Sequence, residues 1–513
     1  MKKPNYLIIS ILRTFSKLIC VLAFVLFSTV SYAQIKQTAR IEFESQDVID
    51  EEHVLFPLRE NGVVVLHSKT ESLKRNLSID FYKYDSTLTQ IWMSTFEPDK
   101  EFELIKTFDN EHFIYILLKK EAQTNIGILR IDLATGDKTY IEGNLLTNID
   151  IEHFKVLKSK VFIGGQYNER PVIVMFSLFD KTSKILPEIH ANHLQINDIN
   201  VNEQTENIYV MLKNEKTCQY HIKTYNYEGK VIKNLILGDK SKTPITGEIL
   251  DKTDGNLVLT GSYAEGCSLY SMGLYLYDIS EKDAQIQYFN FADFNNFFGY
   301  LNEKREAKVK HRIKEKKNKG KEVKLRYRLI QHNIIPTPDG WMMVAEIFYP
   351  EYKYPTNNLI FGNWRNYRIG NEIYNNFRYM QAIICFFDKK GKLIWDNSIS
   401  LNNLESNTLL EKVQVSVNDD KIILAYPDNN KIKTTLIQKN QKAKILEVFD
   451  LKSANDTLTI TDTKELSLAA WYGNHFLSYG YQNVKKSNDL LNKSVFYISK
   501  LAYTIPPNLP NRQ

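Results

Sequence analysis

Eight times along the chain an apolar run, a short polar turn and a second apolar run follow one another. They are HVLFPLRENGVVVLHS (53–68), LIKTFDNEHFIYILLK (104–119), HFKVLKSKVFIGGQY (153–167), INDINVNEQTENIYVMLK (196–213), GEILDKTDGNLVLTGSY (247–263), NIIPTPDGWMMVAEIFY (333–349), KVQVSVNDDKIILAYP (412–427) and LAAWYGNHFLSYGYQ (468–482). Each turn carries Asn, Asp, Gly or Ser-Lys, the residues a tight hairpin needs. A second piece follows: alternating apolar residues, a Tyr-Asp or Phe-Asp-like pair, a turn and a short outer strand. IGILRIDLATGDKTYI (126–141) and GLYLYDISEKDAQIQYF (273–289) are examples. Together the two pieces predict a four-stranded antiparallel unit.

With two insertions set aside, the units recur about every 45 to 50 residues, the period of a propeller blade. The pattern predicts an all-β propeller of seven or eight four-stranded antiparallel blades, eight being favoured. The last unit lacks a clear outer strand, and IKQTARIEFE (35–44) is the candidate to supply it and close the ring. The competing architecture, two packed β-sandwiches, predicts less regular spacing and a Pro/Gly/Ser-rich linker, and the body of the chain has none.

FFDKKGKLIWDNSI (386–399) resembles the outer half of a quinoprotein-type or WD40-like blade, and YRLIQHNIIPTPDGWMMVAEIFYPEY (327–352) is similar to blocks in secreted propellers of Bacteroidota. The Asn/Lys/Tyr/Ile-rich composition and the Ser-Tyr-Ala-Gln stretch suit such a host. The resemblance implies a propeller over nearly the whole mature chain and brings no activity with it. Quinoproteins carry a regular Trp docking pattern. Here Trp92 and Trp395 stand alone, so no quinone and no other cofactor is expected.

The spacing breaks at about 290–326 and at 350–379. In a propeller both connections emerge on one face, so the insertions should stand together above the sixth blade. In the first, Phe294, Phe297, Phe298, Leu301, Val309 and Ile313 fit a helical stripe, with Asp293 to cap it and Gly320 to stop it. KEVKLRYRLI then switches to a period of two, which predicts a strand with Val323, Leu325, Tyr327 and Leu329 on one side. The second insertion is dense in Tyr, Asn and Arg. Tyr352, Tyr354, Trp364, Arg365, Tyr367, Arg368 and Tyr374 are its candidate ligand-binding residues, since aromatic and amide-rich surfaces suit glycan or peptide recognition. Packing of a long loop on its own aromatic core explains the same composition.

The N-terminus changes the picture of charge and compartment. A basic leader precedes an apolar run of 13 residues (Leu18–Val30) and Ser31-Tyr32-Ala33. This predicts a signal peptide over 1–33 and a propeller domain over 34–513. The run is short for a membrane span, and the mature chain holds no longer one. The expected address is the periplasm, the outer-membrane surface or the exterior. The whole chain is +6. The mature part carries 62 basic against 60 acidic residues, and the stretch 302–328 alone holds 13 basic and four acidic. Cationic character is therefore local, which argues against a general nucleic-acid binder. Cys218 and Cys267 fall between the second and third strands of neighbouring units, where a disulfide would suit an oxidising compartment. Cys385 reads as a buried strand thiol.

Candidate chemistry is sparse. Glu346 sits in an otherwise apolar strand and needs a partner. A simple hairpin brings Arg328 and His332 near it, either as an acid/base group or as a buried ion pair fixing the blade. His190 and His193 lack further ligands at usable spacing, so no metal is expected. No nucleotide loop or hydrolase elbow occurs. The reading is a non-catalytic scaffold recognising a protein, peptide or anionic glycan through the insertion face. The alternative is a propeller glycoside hydrolase or lyase with carboxylates at the channel. It predicts several acids and Arg or His converging there.

Overall fold

The computed structural model describes residues 35–45, 51–71, 76–99, 101–239, 241–251, 257–279, 285–352, 374–418, 421–439, 444–454, 458–486 and 492–504. The expected leader, and Tyr354, Trp364, Arg365, Tyr367 and Arg368, lie outside them.

Each repeated hairpin forms the first two strands of one antiparallel sheet, and eight sheets follow in chain order. They are blade 1 (51–96), blade 2 (102–144), blade 3 (150–185), blade 4 (194–237), blade 5 (243–290), blade 6 (328–406), blade 7 (414–450) and blade 8 (458–503). The N-terminal strand Ile35–Glu44 pairs with Lys493–Tyr503 and becomes the outer strand of blade 8, as the pattern predicts. The protein is an eight-bladed β-propeller.

The apolar runs follow from this stacking. A second strand has a blade on either side, so both of its faces are buried. Val64 and Leu66 pack toward blade 2, whereas Val63 and Val65 pack toward blade 8. Val161 and Ile163 face blade 2, and Phe162 faces blade 4. Eight apolar clusters fill the eight seams between blades, including the one between blades 8 and 1. Each buried Val, Leu or Ile contributes about 1.5–3 kcal/mol, and the contribution is spread around the whole ring.

The first strands are less regular. In blades 2, 3 and 4 each slips by one residue, at Ile105, Glu152 and Asn197. In blade 5 the first strand is split into Thr243–Pro244 and Glu248–Asp251, and in blade 6 into Arg328–Gln331 and Ile335–Thr337. Bulges and breaks of this kind re-aim side chains. Here they turn Lys106, His153, Asp198, Glu248 and His332 into the region where the first strands approach one another.

Two expectations for the first insertion need correction. The helix α1 spans Glu303–Asn318 and starts at Asn302, not Asp293. The Asn302 side chain accepts from the Arg305 amide at 3.0 Å, which caps the helix. The Phe-rich part before it is a 3-10 turn (Phe291–Asp293) followed by irregular chain. Its phenylalanines are buried as expected, but they fill the seam between blades 5 and 6 from a compact loop. Gly320 does stop the helix. At φ 65° it lets the Lys321 amide reach the Lys316 carbonyl at 3.0 Å and its own amide reach Lys317 at 2.9 Å. The strand expected from Lys321 begins only at Arg328, preceded by a single bridge from Tyr327 to Ser271. Val323 is still buried between exposed Glu322 and Lys324. The period of two is a period of burial without a sheet partner.

The second insertion is narrower than 350–379. Strands Gly340–Tyr352 and Tyr374–Asp388 pair up to Tyr352 opposite Tyr374, so both its ends belong to the blade.

Candidate functional site

Register places both insertions at one end of blade 6. Arg328, where the first insertion ends, lies opposite Phe348, four residues from the last pair of the second. The first insertion is tied down at several points. Asp396 accepts from the amides of Asn295 (2.8 Å) and Asn296 (2.6 Å), and Ser398 donates to the Asn296 carbonyl at 2.7 Å. Lys317 reaches from α1 to Asp293 (2.5 Å) and to the Ala292 carbonyl (3.0 Å). Lys324 and Arg326 both pair with Glu265 of blade 5. A disulfide joins Cys218 to Cys267, linking the corresponding loops of blades 4 and 5.

These ties use up only part of the basic charge. Lys304, Arg305, Lys308, Arg312, Lys314, Lys316 and Lys319 are exposed, with no ion-pair partner among the described residues. Ile313 is the one buried residue of α1. The helix is seated through Ile313 and Lys317 and presents a row of cations.

A polar cleft of about 620 Å³ opens over blades 6, 7 and 8. Asn402, Asn403 and Glu405 line it from blade 6, Asp428, Asn429 and Asn430 from blade 7, and Lys464 from blade 8. Asn402, Asn403 and Asn429 have φ between 53° and 57°, a left-handed backbone that Asn tolerates better than most residues. Arg378 bridges Glu351 (2.6 Å) and Glu405 (3.0 Å), stiffening the base of the second insertion where it meets the cleft.

Lys412 connects the cleft to the core. Its side chain lines the cleft, and burial pulls its ammonium pKa down. Its backbone amide donates to Oε1 of Glu346 at 2.7 Å, and that of Val413 does so at 2.8 Å. The same oxygen meets Nε2 of His332 at 2.8 Å, and Nδ1 of His332 lies 3.7 Å from Glu411. Glu346 is 0% exposed and His332 7%. A carboxylate this deep, spent on the backbone of the next blade, is a clasp between blades 6 and 7. Arg328 does not join it. Its guanidinium lies 5.3 Å over the Tyr270 ring, because its strand position is opposite Phe348 while Ile330 faces Glu346.

The clasp recurs. Glu248 of blade 5 accepts from the Ile334 amide of blade 6 with both oxygens (3.0 and 3.1 Å), and Gln414 of blade 7 accepts from Ala470 of blade 8 at 3.1 Å. Burial pushes the Glu248 carboxyl up to about 7, with Asp198 and Glu411 adding to the rise. Burial also raises Glu411 and lowers His153. Sequence reasoning finds Glu346 and His332 but misses Asp198, Glu248 and Glu411. The missed acids stand at strand edges or in polar stretches where acids are ordinary; Asp198 sits at a bulge, Glu248 begins the second piece of a split strand, and Glu411 precedes the first strand of blade 7.

Of the candidate ligand-binding residues, Tyr352 and Tyr374 form the last backbone pair of the ribbon. His190 and His193 are exposed. Among the described residues, a set of three metal-type side chains occurs elsewhere, at Glu51, His53 and His67 of blade 1.

No protein-family description matches the chain, and no curated protein matches it in sequence. Among solved structures it is similar to the β-propeller domain of the Trilobed protease from Pyrococcus furiosus. Identity is 10%, 81% of this chain and 99% of that chain are covered, and the TM-score is 0.35. It is also similar to prolyl oligopeptidase B from Galerina marginata, at 8% identity over 84% of this chain and 56% of that one, with a TM-score of 0.39. Kuenenia stuttgartiensis hydrazine synthase matches at 12% identity over 63% of this chain and 73% of that one, with a TM-score of 0.35. Likeness this distant says nothing of activity, and the propeller assignment rests on the eight sheets and eight filled seams.

Proposed function

We propose that this protein is an exported binding scaffold whose insertion face takes a polar, anionic ligand, with an acidic glycan or lipopolysaccharide as the reading favoured over a protein or peptide. The observations that carry it are a polar cleft of about 620 Å³ over blades 6, 7 and 8 and, on the helix packed at the seam between blades 5 and 6, a row of exposed cations without an ion-pair partner among the described residues. The cations steer and hold charge, and the amide-rich cleft offers hydrogen bonds to hydroxyl groups. The 302–328 stretch is then an electrostatic surface of the propeller, not a nucleic-acid arm. Export is the setting in which the Cys218–Cys267 bridge persists, and it agrees with the leader-like N-terminus. Among the described residues no helix is long and apolar enough to cross a membrane.

The glycosidase or lyase reading draws support from Glu248, whose carboxyl titrates near neutrality beside Asp198 and Glu411. Against it, Glu346 and His332 are sealed and spent on structure.

The test is binding of immobilised lipopolysaccharide and acidic polysaccharides by the mature protein and by a Lys304→Glu, Arg305→Glu, Lys308→Glu, Arg312→Glu variant. These residues are exposed, so the fold should persist. The expected result is a loss of at least about tenfold in affinity and a flatter dependence on salt. Equal binding by both proteins contradicts the proposal. Product release from a polysaccharide substrate, abolished by Glu248→Gln, favours the enzyme reading.

A further inference from the structure

Glu51 and His53 are two residues apart on the first strand of blade 1 and so share a face. His67, on the second strand, lies directly opposite His53 in the register. The two imidazoles stack at 4.4 Å with an interplanar angle of 5°, and the far face of His53 stacks on Phe496 of blade 8 at 3.9 Å. One donor atom from each of Glu51, His53 and His67 lies within 4.8 Å of the other two.

The surroundings are arranged as they would be for metal ligands. Nδ1 of His53 is 2.9 Å from the Tyr481 hydroxyl, so the nitrogen this ring has left to offer is Nε2. That Nε2 is buried and has no hydrogen-bond partner. Nε2 of His67 lies 2.7 Å from Oε1 of Glu51, and its Nδ1 is 4.0 Å from Oδ2 of Asp80. Asp80 is itself held by Thr95 at 2.6 Å, and the second oxygen of Glu51 accepts from Ser45 at 2.8 Å. Ligating imidazoles are commonly oriented as His53 is by Tyr481, through the ring nitrogen that does not meet the metal, while the 4.0 Å from His67 to Asp80 is a charge contact and not a hydrogen bond. A His67–Glu51 ion pair alone accounts for one of the two rings. It leaves the buried Nε2 of His53 unsatisfied, at a cost of about 1–3 kcal/mol.

We propose that Glu51, His53 and His67 bind one first-row divalent metal ion, and that Zn2+ best suits two imidazoles and a carboxylate. Three protein ligands leave a fourth position for water or for a group brought by another molecule. Donors bonded to zinc at about 2.0–2.1 Å sit roughly 3.4 Å apart, so loading parts Nε2 of His67 from Oε1 of Glu51, now 2.7 Å away, and tilts the two stacked imidazoles so that both meet the ion. The site lies where blade 8 meets blade 1, beside the strand that closes the ring, and Tyr481 and Phe496 reach it from blade 8. A bound ion therefore ties the first two strands of blade 1 together at the closure and gives Nε2 of His53 a partner. The sequence signal is E-x-H on one strand with a second His placed opposite by the hairpin, and it is visible only once the register is known.

The test uses the full mature protein stripped with a chelator and titrated with Zn2+ alone. The expected result is one equivalent bound with a rise in Tm, and visible d–d absorption when Co2+ is used instead. Glu51→Gln and His67→Gln should each weaken binding by at least about 100-fold, and Tyr481→Phe by about 10–100-fold. Failure of the wild-type protein to bind Zn2+ in one-to-one stoichiometry overturns the proposal, and this measurement needs no variant to fold. Undiminished binding by folded Glu51→Gln and His67→Gln proteins overturns it equally, because the ion then sits elsewhere.

Discussion

Blades 3 and 6 are built on one plan and differ at one end. In blade 3 the second and third strands have eight residues each, and Asn168-Glu169 joins them in two positive-φ residues. That is the two-residue turn whose twist matches an antiparallel pair. In blade 6 the same two strands have 13 and 15 residues, and 21 residues (353–373) stand between them. Toward their neighbours the two blades behave alike, each filling two seams with alternating apolar side chains. Blade 3 shows what a blade needs in order to stack. What blade 6 carries beyond that is absent from the stacking requirement, and the cleft and the cationic helix are found beside it.

The largest expected effect tests whether blade 6 is held differently. Glu346→Ala removes the acceptor for His332, Lys412 and Val413 together and should cost about 3–5 kcal/mol, read as a lowered denaturation midpoint. A cost below about 1 kcal/mol would mean that apolar stacking holds the seam between blades 6 and 7 without help from the clasp.

A smaller effect concerns pH. The Glu248 carboxyl has a folded pKa of about 7 against an ordinary 4.5. The folded state then binds more protons than the unfolded one in that interval. This contribution to stability is full below about 4.5 and is lost as the pH rises through about 7. Glu248→Gln should remove that decline. The variant is therefore expected to gain on the wild type by about 1–3 kcal/mol between pH 5 and 8, measured by denaturation at each pH. An unchanged pH profile would show that Glu248 is more hydrated than its burial indicates.

The comparison also explains what could be read from sequence. Blade 3 is legible because every second residue reports a seam, and HFKVLKSKVFIGGQY needs nothing more. The closing strand 35–44 is legible for the same reason. Blade 6 is legible only where it obeys that rule. Phe294, Phe297 and Phe298 mimic a helical stripe because a compact loop buries side chains at similar spacing, and Asn302 rather than Asp293 turns out to cap the helix. Lys324 and Arg326 alternate with buried residues without a sheet. Asp198 and Glu248 depend on a bulge and a strand break, Glu411 on the approach of blade 7 to blade 6, and the meeting of Glu51, His53 and His67 on cross-strand register, none of which a local pattern encodes.

The most direct test of the central claim makes blade 6 resemble blade 3. Residues 353–373 are replaced by the two-residue Asn-Glu turn, joining Tyr352 to Tyr374 where they already pair. Binding to immobilised lipopolysaccharide and acidic polysaccharides is then measured beside β-type circular dichroism. The account predicts an unchanged spectrum with binding lost or reduced at least about tenfold. A folded variant that binds as well as the wild type would contradict it.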